Sequence, residues 1–162
     1  MVELQKTKAG DELAFANMFN LYHYDLAKFL PELYPSVDED GYYDRNAALD
    51  YLNMPPEKVQ TSFIRYMGKI AGLAVLAFPP FVKPGCDYCI QELFVLRTLR
   101  GKGIAREACE IIFGEFPGRY CAMVLENNIE ALAFWDKVTA KGLIARGKHD
   151  DALVAYEFAA GK

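Results

Sequence analysis

The sequence predicts an α/β domain on a mixed sheet, and three observations carry that reading. Short apolar runs of strand length alternate with segments of helical periodicity. Residues 62–66 and 70–78, separated by Met67-Gly68-Lys69, have the pattern of a β-hairpin. Residues 92–105, ELFVLRTLRGKGIA, read as strand, basic glycine loop and helix in immediate succession. At 162 residues, of which 52% are apolar, the chain is long enough for one buried core. No compositional break marks a second unit, so residues 1–162 are expected to form a single domain.

Taken in order, residues 2–7 suit a first strand. Residues 11–33 carry a helical stripe of Leu13, Phe15, Met18, Phe19, Tyr22 and Leu26, in one helix or two, ended by Pro31 and Pro35. Asp38-Glu39-Asp40-Gly41 reads as an acidic turn, and a short helix over 45–52 is broken by Asn53-Met54-Pro55-Pro56. The hairpin follows, then a loop over 79–85 into a strand at 89–96. The helix over 103–116 places Ile104, Ala108, Ile111 and Ile112 on one face before Pro117-Gly118 stops it. A buried strand is expected at 120–125. Asn127, with Glu130 three residues on, has the spacing of an N-cap box, and Ala131, Phe134, Trp135 and Val138 give the stripe of the next helix. Gly142 ends that helix, and residues 143–145 and 153–158 suit a last pair of strands with a turn at 148–151.

A formal net charge of −4 argues against a nucleic-acid partner, because basic residues cluster only between Arg97 and Arg106, a footprint for a small anion. The longest apolar stretch, 70–82, is too short to span a bilayer and is interrupted by Pro79-Pro80. Glu3, Lys6, Lys8 and Asp11 stand where the apolar core of a leader peptide would be, so a cytoplasmic protein without membrane association is expected. Cys86 and Cys89 have C-x-x-C spacing but lack a second ligand pair, while Cys109 and Cys121 fall in a predicted helix and strand as small hydrophobes would. No metal site is expected, and His23 and His149 read as surface residues.

The glycines at 101 and 103 let a backbone approach a ligand closely, and the free amides of the following helix favour an anion such as a pyrophosphate. On residues alone, a plain basic turn is the competing reading. The loop lacks G-x-x-x-x-G-K-[ST] and G-x-G-x-x-G, which disfavours ATP and dinucleotides. What remains is R-x-x-G-x-A at Arg100, Gly103 and Ala105, and about two dozen residues later comes NIEALAFW at 128–135. These two blocks resemble the Q/R-x-x-G-x-G/A loop and the N-x-x-A-x-x-F-Y helix of the GCN5-related N-acetyltransferase (GNAT) superfamily.

That resemblance implies a mixed, mostly antiparallel central sheet with flanking helices, and acetyl-CoA as co-substrate. It implies that amides of the loop Arg100, Gly101, Lys102, Gly103, Ile104 and Ala105 bind the pyrophosphate, with the Arg100 and Lys102 charges adding attraction. Leu93, Phe94 and Val95 would run beside the pantetheine arm as if it were another strand. The Leu93 N–H would face the thioester oxygen, and Asn128, Phe134 and Trp135 would complete the donor site.

Acyl transfer to an amine also needs a base, because freeing an alkylammonium of pKa near 10.4 at pH 7 costs about 4.6 kcal/mol. Glu92 is the leading candidate, lying beside Leu93 and opposite to it in side-chain direction. An exposed strand carboxylate, or a partner for a lysine, is the plainer reading of it. Asp25, Asp38, Glu39 and Asp40 form a second acidic group, either a lure for a cationic substrate or an ordinary surface. Trp135 stands where the family places a tyrosine acid, and indole N–H cannot replace it. Tyr88, Tyr120, Tyr22 or water could do so, and Trp135 itself reads as pocket wall or core.

The expected activity is therefore N-acetylation of a primary amine on a small molecule or peptide. It would proceed by direct attack in a ternary complex, since no cysteine has a recognisable triad. Tyr22, Tyr24, Tyr42, Tyr43 and Phe81 would suit an amine with an apolar body, or simply pack. The alternative is a non-catalytic CoA- or acyl-CoA-binding sensor or partner module. A homodimer stays open as an arrangement of subunits.

Overall fold

The computed structural model describes residues 1–161. Its elements are β1 (Val2–Lys6), α1 (Glu12–Ala27), α2 (Arg45–Asn53), β2 (Val59–Tyr66), β3 (Lys69–Ala77), β4 (Tyr88–Val95), α3 (Ile104–Glu115), β5 (Gly118–Leu125), α4 (Ile129–Thr139), β6 (Leu143–Lys148) and β7 (Leu153–Ala160). A short 3-10 turn, Arg97–Leu99, joins β4 to α3. The strands form one sheet in the order β1-β2-β3-β4-β5-β7-β6. Among the described residues only β4 and β5 run parallel; every other neighbouring pair is antiparallel, in keeping with the mostly antiparallel sheet expected.

Each face of the sheet has its own core. On one, Ile104, Ala108, Ile112 and Phe113 of α3 and Trp135 of α4 close over Ile90, Val95, Tyr120 and Phe158. On the other, Phe15 and Phe19 of α1 and Ala48 of α2 cover Val59, Phe63, Leu73, Val75 and Phe94. Each large apolar side chain buried in these layers contributes about 1.5–3 kcal/mol.

Element ends differ from the sequence reading where tertiary structure decides. Helix α1 stops at Ala27 instead of continuing to 33, because the amides of Phe29 and Leu30 both turn back onto the Leu26 carbonyl, just before Pro31 disfavours helix at residue 30. The cap of α4 is Asn128 and not Asn127: Asn128 Oδ1 accepts from the Ala131 N–H at 3.1 Å. Asn127 is used elsewhere, its Nδ2 donating to the Phe29 carbonyl at 3.2 Å.

Two irregularities of β4 create the site. Val75 pairs with Glu92 and Leu76 with Ile90, so Gln91 is an extra residue on β4. This bulge places Ile90 and Glu92, two apart, on opposite faces: Ile90 belongs to the α3/α4 core, while Glu92 meets tyrosines of α1 and α2. In addition β4 pairs with β5 only from Tyr88 to Ile90, whereas β5 stays paired with β7 along its length. Beyond Ile90 the parallel strands part, leaving one edge of β4 open.

Candidate functional site

The direction of the open edge follows from hydrogen bonds at its end. The Leu96 N–H donates to Ala71 of β3, so amides of the same parity turn inward. The Val95 carbonyl turns outward, where it accepts from Arg100 Nε at 2.9 Å. Leu93, two residues earlier on the extended strand, therefore presents its N–H and carbonyl to the gap.

At the mouth of the gap stands the start of α3. Gly103 is its N-cap residue at φ +80°, with no side chain capping the helix, and its carbonyl already accepts from the Glu107 N–H at 2.9 Å. No acceptor among the described residues takes the N–H of Ile104, Ala105 or Arg106. Three bare amides and the positive end of the helix dipole thus point the same way, an arrangement suited to a phosphate group. A Cβ built on Gly103 approaches no protein atom more closely than Glu107 Oε1, at 4.0 Å, so a side chain there would extend into ligand space. We expect Gly103→Val to weaken coenzyme A binding at least about tenfold, read by calorimetry. Its left-handed backbone also costs about 1–2 kcal/mol in stability.

A cleft of about 890 Å³ joins these features. Leu93, Phe94, Val95, Arg100, Gly101, Gly103, Ile104, Ala105, Asn128, Phe134 and Trp135, all expected from sequence, line it. Lys102 is exposed outside that lining, and the Glu92 side chain lies beyond it on the other side of β4. Tyr22, Asp25, Lys28 and Phe29 of α1 and the segment after it form a wall that sequence reasoning does not assign to the donor side. Asn128 spends its Oδ1 on capping α4.

Arg100 lines the cleft, where its charge is shared with an acidic partner from α1. Its guanidinium is folded back onto the Val95 carbonyl and Asp25 and lies over the Phe94 ring, 5.6 Å from the centroid. Arg97 donates to the other Asp25 oxygen at 2.7 Å. Asp25 is accordingly a brace between α1 and the loop, and its charge is neutralised instead of serving to attract a cation. Burial would raise the Asp25 pKa, but hydrogen bonds from Arg100 and Arg97 hold it below its ordinary value. That contribution to stability is complete above the unfolded value near 3.9 and disappears as pH falls through the lowered one. Asp25→Asn should lower stability at pH 7 by about 1 kcal/mol, with the difference from wild type closing in acid during denaturant titration.

Glu92 is held by two phenols. Tyr22 of α1 donates to Oε2 at 2.6 Å and Tyr51 of α2 to Oε1 at 2.8 Å. Burial pushes the Glu92 pKa up, outweighing the two hydrogen bonds that favour the anion. Burial and the Glu92 charge in turn push up the pKa of both tyrosines. Glu92 is thus neither an exposed strand carboxylate nor a lysine partner. Of the hydroxyls considered in place of the missing tyrosine acid, only Tyr22 lines the cleft. Tyr120 is fully buried, donating to the Phe116 carbonyl, and Tyr88 packs among Phe78, Phe116 and Tyr120. Trp135 is both wall and core, lining the cleft while 7% exposed against Phe134, Tyr156 and Phe158.

The remaining candidates have structural roles. Asp38 Oδ1 accepts from the amides of Asp40 and Tyr42, fixing the acidic turn. His23 is buried, not a surface residue: it packs between Phe19, Tyr22 and Tyr34, and burial lowers its pKa. Cys86, Cys89 and Cys121 pack together under Val82 as free thiols, and Cys109 is buried in α3. No helix among the described residues is long and apolar enough to cross a membrane.

A mixed sheet parted between two parallel strands, with a bare helix start at the opening, makes a cleft suited to an anionic ligand whose extended arm can pair with a strand edge. Residues 23–139 match the sequence pattern of the acetyltransferase (GNAT) family, and the chain belongs to that family. It is similar in fold to an acetyltransferase from Thermus thermophilus, with TM-score 0.74 and 18% identity over 98% of this chain and 97% of that one. A GNAT-family acetyltransferase from Streptococcus agalactiae gives TM-score 0.71 at 16% identity, covering 99% of this chain and 96% of that one. A PaiA N-acetyltransferase from Thermoplasma acidophilum, in complex with coenzyme A, gives 0.66 at 13% identity over 98% and 99% of the two chains. No curated protein matches the sequence significantly.

Proposed function

We propose that this protein is an acetyl-CoA-dependent N-acetyltransferase that moves an acetyl group to a primary amine by direct attack in a ternary complex. The observation that carries this reading is the pairing of three bare amides at the start of α3 with the open edge of β4, along one cleft. The amides would take the pyrophosphate, and the Leu93 and Val95 edge would pair with the pantetheine amides. The Leu93 N–H would then donate to the thioester oxygen as charge develops on it. Because that donor is main chain, a leucine side chain there costs nothing. Residues 100–106 supply the fit to the donor through backbone, and Phe134 and Trp135 through apolar surface.

Glu92 would serve as base, taking the proton of the acceptor ammonium directly or through Tyr22. Its raised pKa suits it to that task, since a carboxylate closer to neutrality keeps a proton longer than an ordinary one. Trp135 favours a second reading, a module that binds CoA without turnover, because it removes the family's usual acid. A thiol of pKa near 8.5 leaves readily enough that loss of this acid slows the step without forbidding it. Thiol release from acetyl-CoA, followed over polyamines, amino acids, aminoglycosides and peptide N-termini, tests both. Turnover on one class supports the transferase; tight CoA binding with none on any acceptor supports the module.

A further inference from the structure

Cys89 of β4, Cys121 of β5 and Glu157 of β7 stand in register, as successive members of one row across the sheet. Cys86 joins them from the loop before β4, its N–H donating to the Lys83 carbonyl at 3.0 Å. The next residue, Asp87, is tied to the start of β5: its N–H donates to the Arg119 carbonyl at 2.7 Å, and the Arg119 N–H donates to Asp87 Oδ2 at 2.9 Å. The three thiols therefore share one small apolar cluster with Ala77 and Val82, and none of them lines the donor cleft.

The surroundings of this cluster favour a thiolate. Lys83 and Arg119 both donate to Glu157, so two cations answer a single carboxylate beside the sulfurs. A hydrogen bond from the Cys89 thiol leads in pulling the Cys121 thiol down to about 6, against the effect of burial, and the Lys83 amide and Cys86 thiol add to it. In Cys109 of α3, by contrast, burial pushes the thiol up to about 12. Cys86 is the sulfur with a way out. Its side chain is buried, but Gly85 and Asp87 on either side of it are exposed, as are Pro79, Pro80, Phe81, Lys83 and Pro84 of the same loop.

We propose that Cys86 and Cys121 are a thiol modification site, forming a reversible disulfide by exchange with a small-molecule disulfide. Cys86 passes its proton to the Cys121 sulfur along the hydrogen bond between them, and the Cys86 thiolate attacks one sulfur of the small disulfide. That S–S bond breaks, its electron pair leaving on the first small thiolate, which takes the proton now on Cys121. The Cys121 thiolate then attacks the Cys86 sulfur and expels the second small thiolate. Two protein sulfurs are oxidised, the small disulfide is reduced to two thiols, and Cys89 ends as it began.

Geometry selects Cys86 over Cys89 as the partner of Cys121. Residues side by side on paired parallel strands keep their Cβ atoms about one strand spacing apart, roughly 4.8 Å, beyond the roughly 3.5–4.5 Å that a disulfide spans. Cys89 and Cys121 are such a pair, fixed by strand hydrogen bonds, whereas Cys86 lies on a loop that can close the distance.

Mass mapping decides the matter. Folded wild-type protein is incubated with glutathione disulfide, quenched in acid, unfolded and alkylated. The expected product has one Cys86–Cys121 bond, an intact mass lower by about 2 Da before alkylation, and alkylated Cys89 and Cys109, and dithiothreitol reverses it. Circular dichroism should be the same before and after, showing that exchange takes place in the folded protein. Cys121→Ser should stop at a glutathione adduct on Cys86, Cys86→Ser should oxidise at least about tenfold more slowly, and Cys109→Ser should match wild type. No disulfide in the folded wild type, a wild-type bond that includes Cys89 or Cys109, or an unchanged rate in Cys86→Ser overturns the proposal. If the serine variants do not fold, the wild-type map alone decides.

Discussion

Replacing Glu92 by glutamine should lower kcat by about 10²–10⁴-fold while leaving coenzyme A affinity unchanged, because it removes the proposed base, which adjoins Leu93, and no residue that lines the cleft. Wild-type activity should rise with pH through the raised pKa of Glu92, above the ordinary carboxylate range, and that acidic limb should be missing in the variant. Stability should move the other way. A carboxyl whose folded pKa is raised contributes stability below its unfolded pKa and loses it as pH rises through the folded value. Glutamine can still accept from one tyrosine and donate to the other, and it carries no charge to desolvate. Denaturant titration should therefore find Glu92→Gln at least as stable as wild type at pH 7, with any advantage shrinking in acid. A variant equally active, or one with its acidic limb intact, removes Glu92 from the chemistry.

The uneven legibility of this site in the sequence has a physical cause. Loop and helix-start chemistry is local: Gly103 at positive φ, the bare amides behind it and the apolar stripe of α3 all fall within a short stretch of chain, so spacing alone points to them. Glu92 is also legible, as a carboxylate next to the expected thioester donor, but its environment is not. Tyr22 and Tyr51 reach it from 70 and 41 residues away. The only local hint for Tyr51 is that it follows Ala47 and Ala48 at helical spacing on the buried side of α2.

The surroundings of Arg100 are illegible for a similar reason. Its partner Asp25 lies 75 residues earlier in the chain. The bulge at Gln91 carries no signature of its own, since nothing in Ile90-Gln91-Glu92 departs from strand composition. It nevertheless decides which face of the sheet receives the carboxylate. His23 reads as a surface residue because polarity, without the aromatic shell that tertiary structure builds, favours exposure.

Gly72 carries the other large expected effect, and it links fold to site. It lies on β3 opposite Val95, where a Cβ would run into the Phe94 carbonyl oxygen and crowd the Phe94 carbon and Val95 Cα at 3.0 and 3.1 Å. Those atoms are main chain on the strand that carries Leu93, so the clash cannot be relieved by a rotamer change. Either β4 moves outward into the donor gap or the β3–β4 pairing breaks. Gly72→Ala should cost about 3 kcal/mol and lower the melting temperature by roughly 6–12 °C. In whatever fraction folds, displacement of the Leu93 and Val95 edge should weaken coenzyme A binding and depress kcat together. Gly114→Ala is the control: Gly114 is an exposed residue of α3 with no atom within 4 Å of an added Cβ, and the same change there should stabilise the protein by about 0.5–1 kcal/mol. Equal melting temperatures for the two variants would mean that β3 and β4 are not held this closely, and the proposed role of the Leu93 amide toward the thioester would lose its structural support.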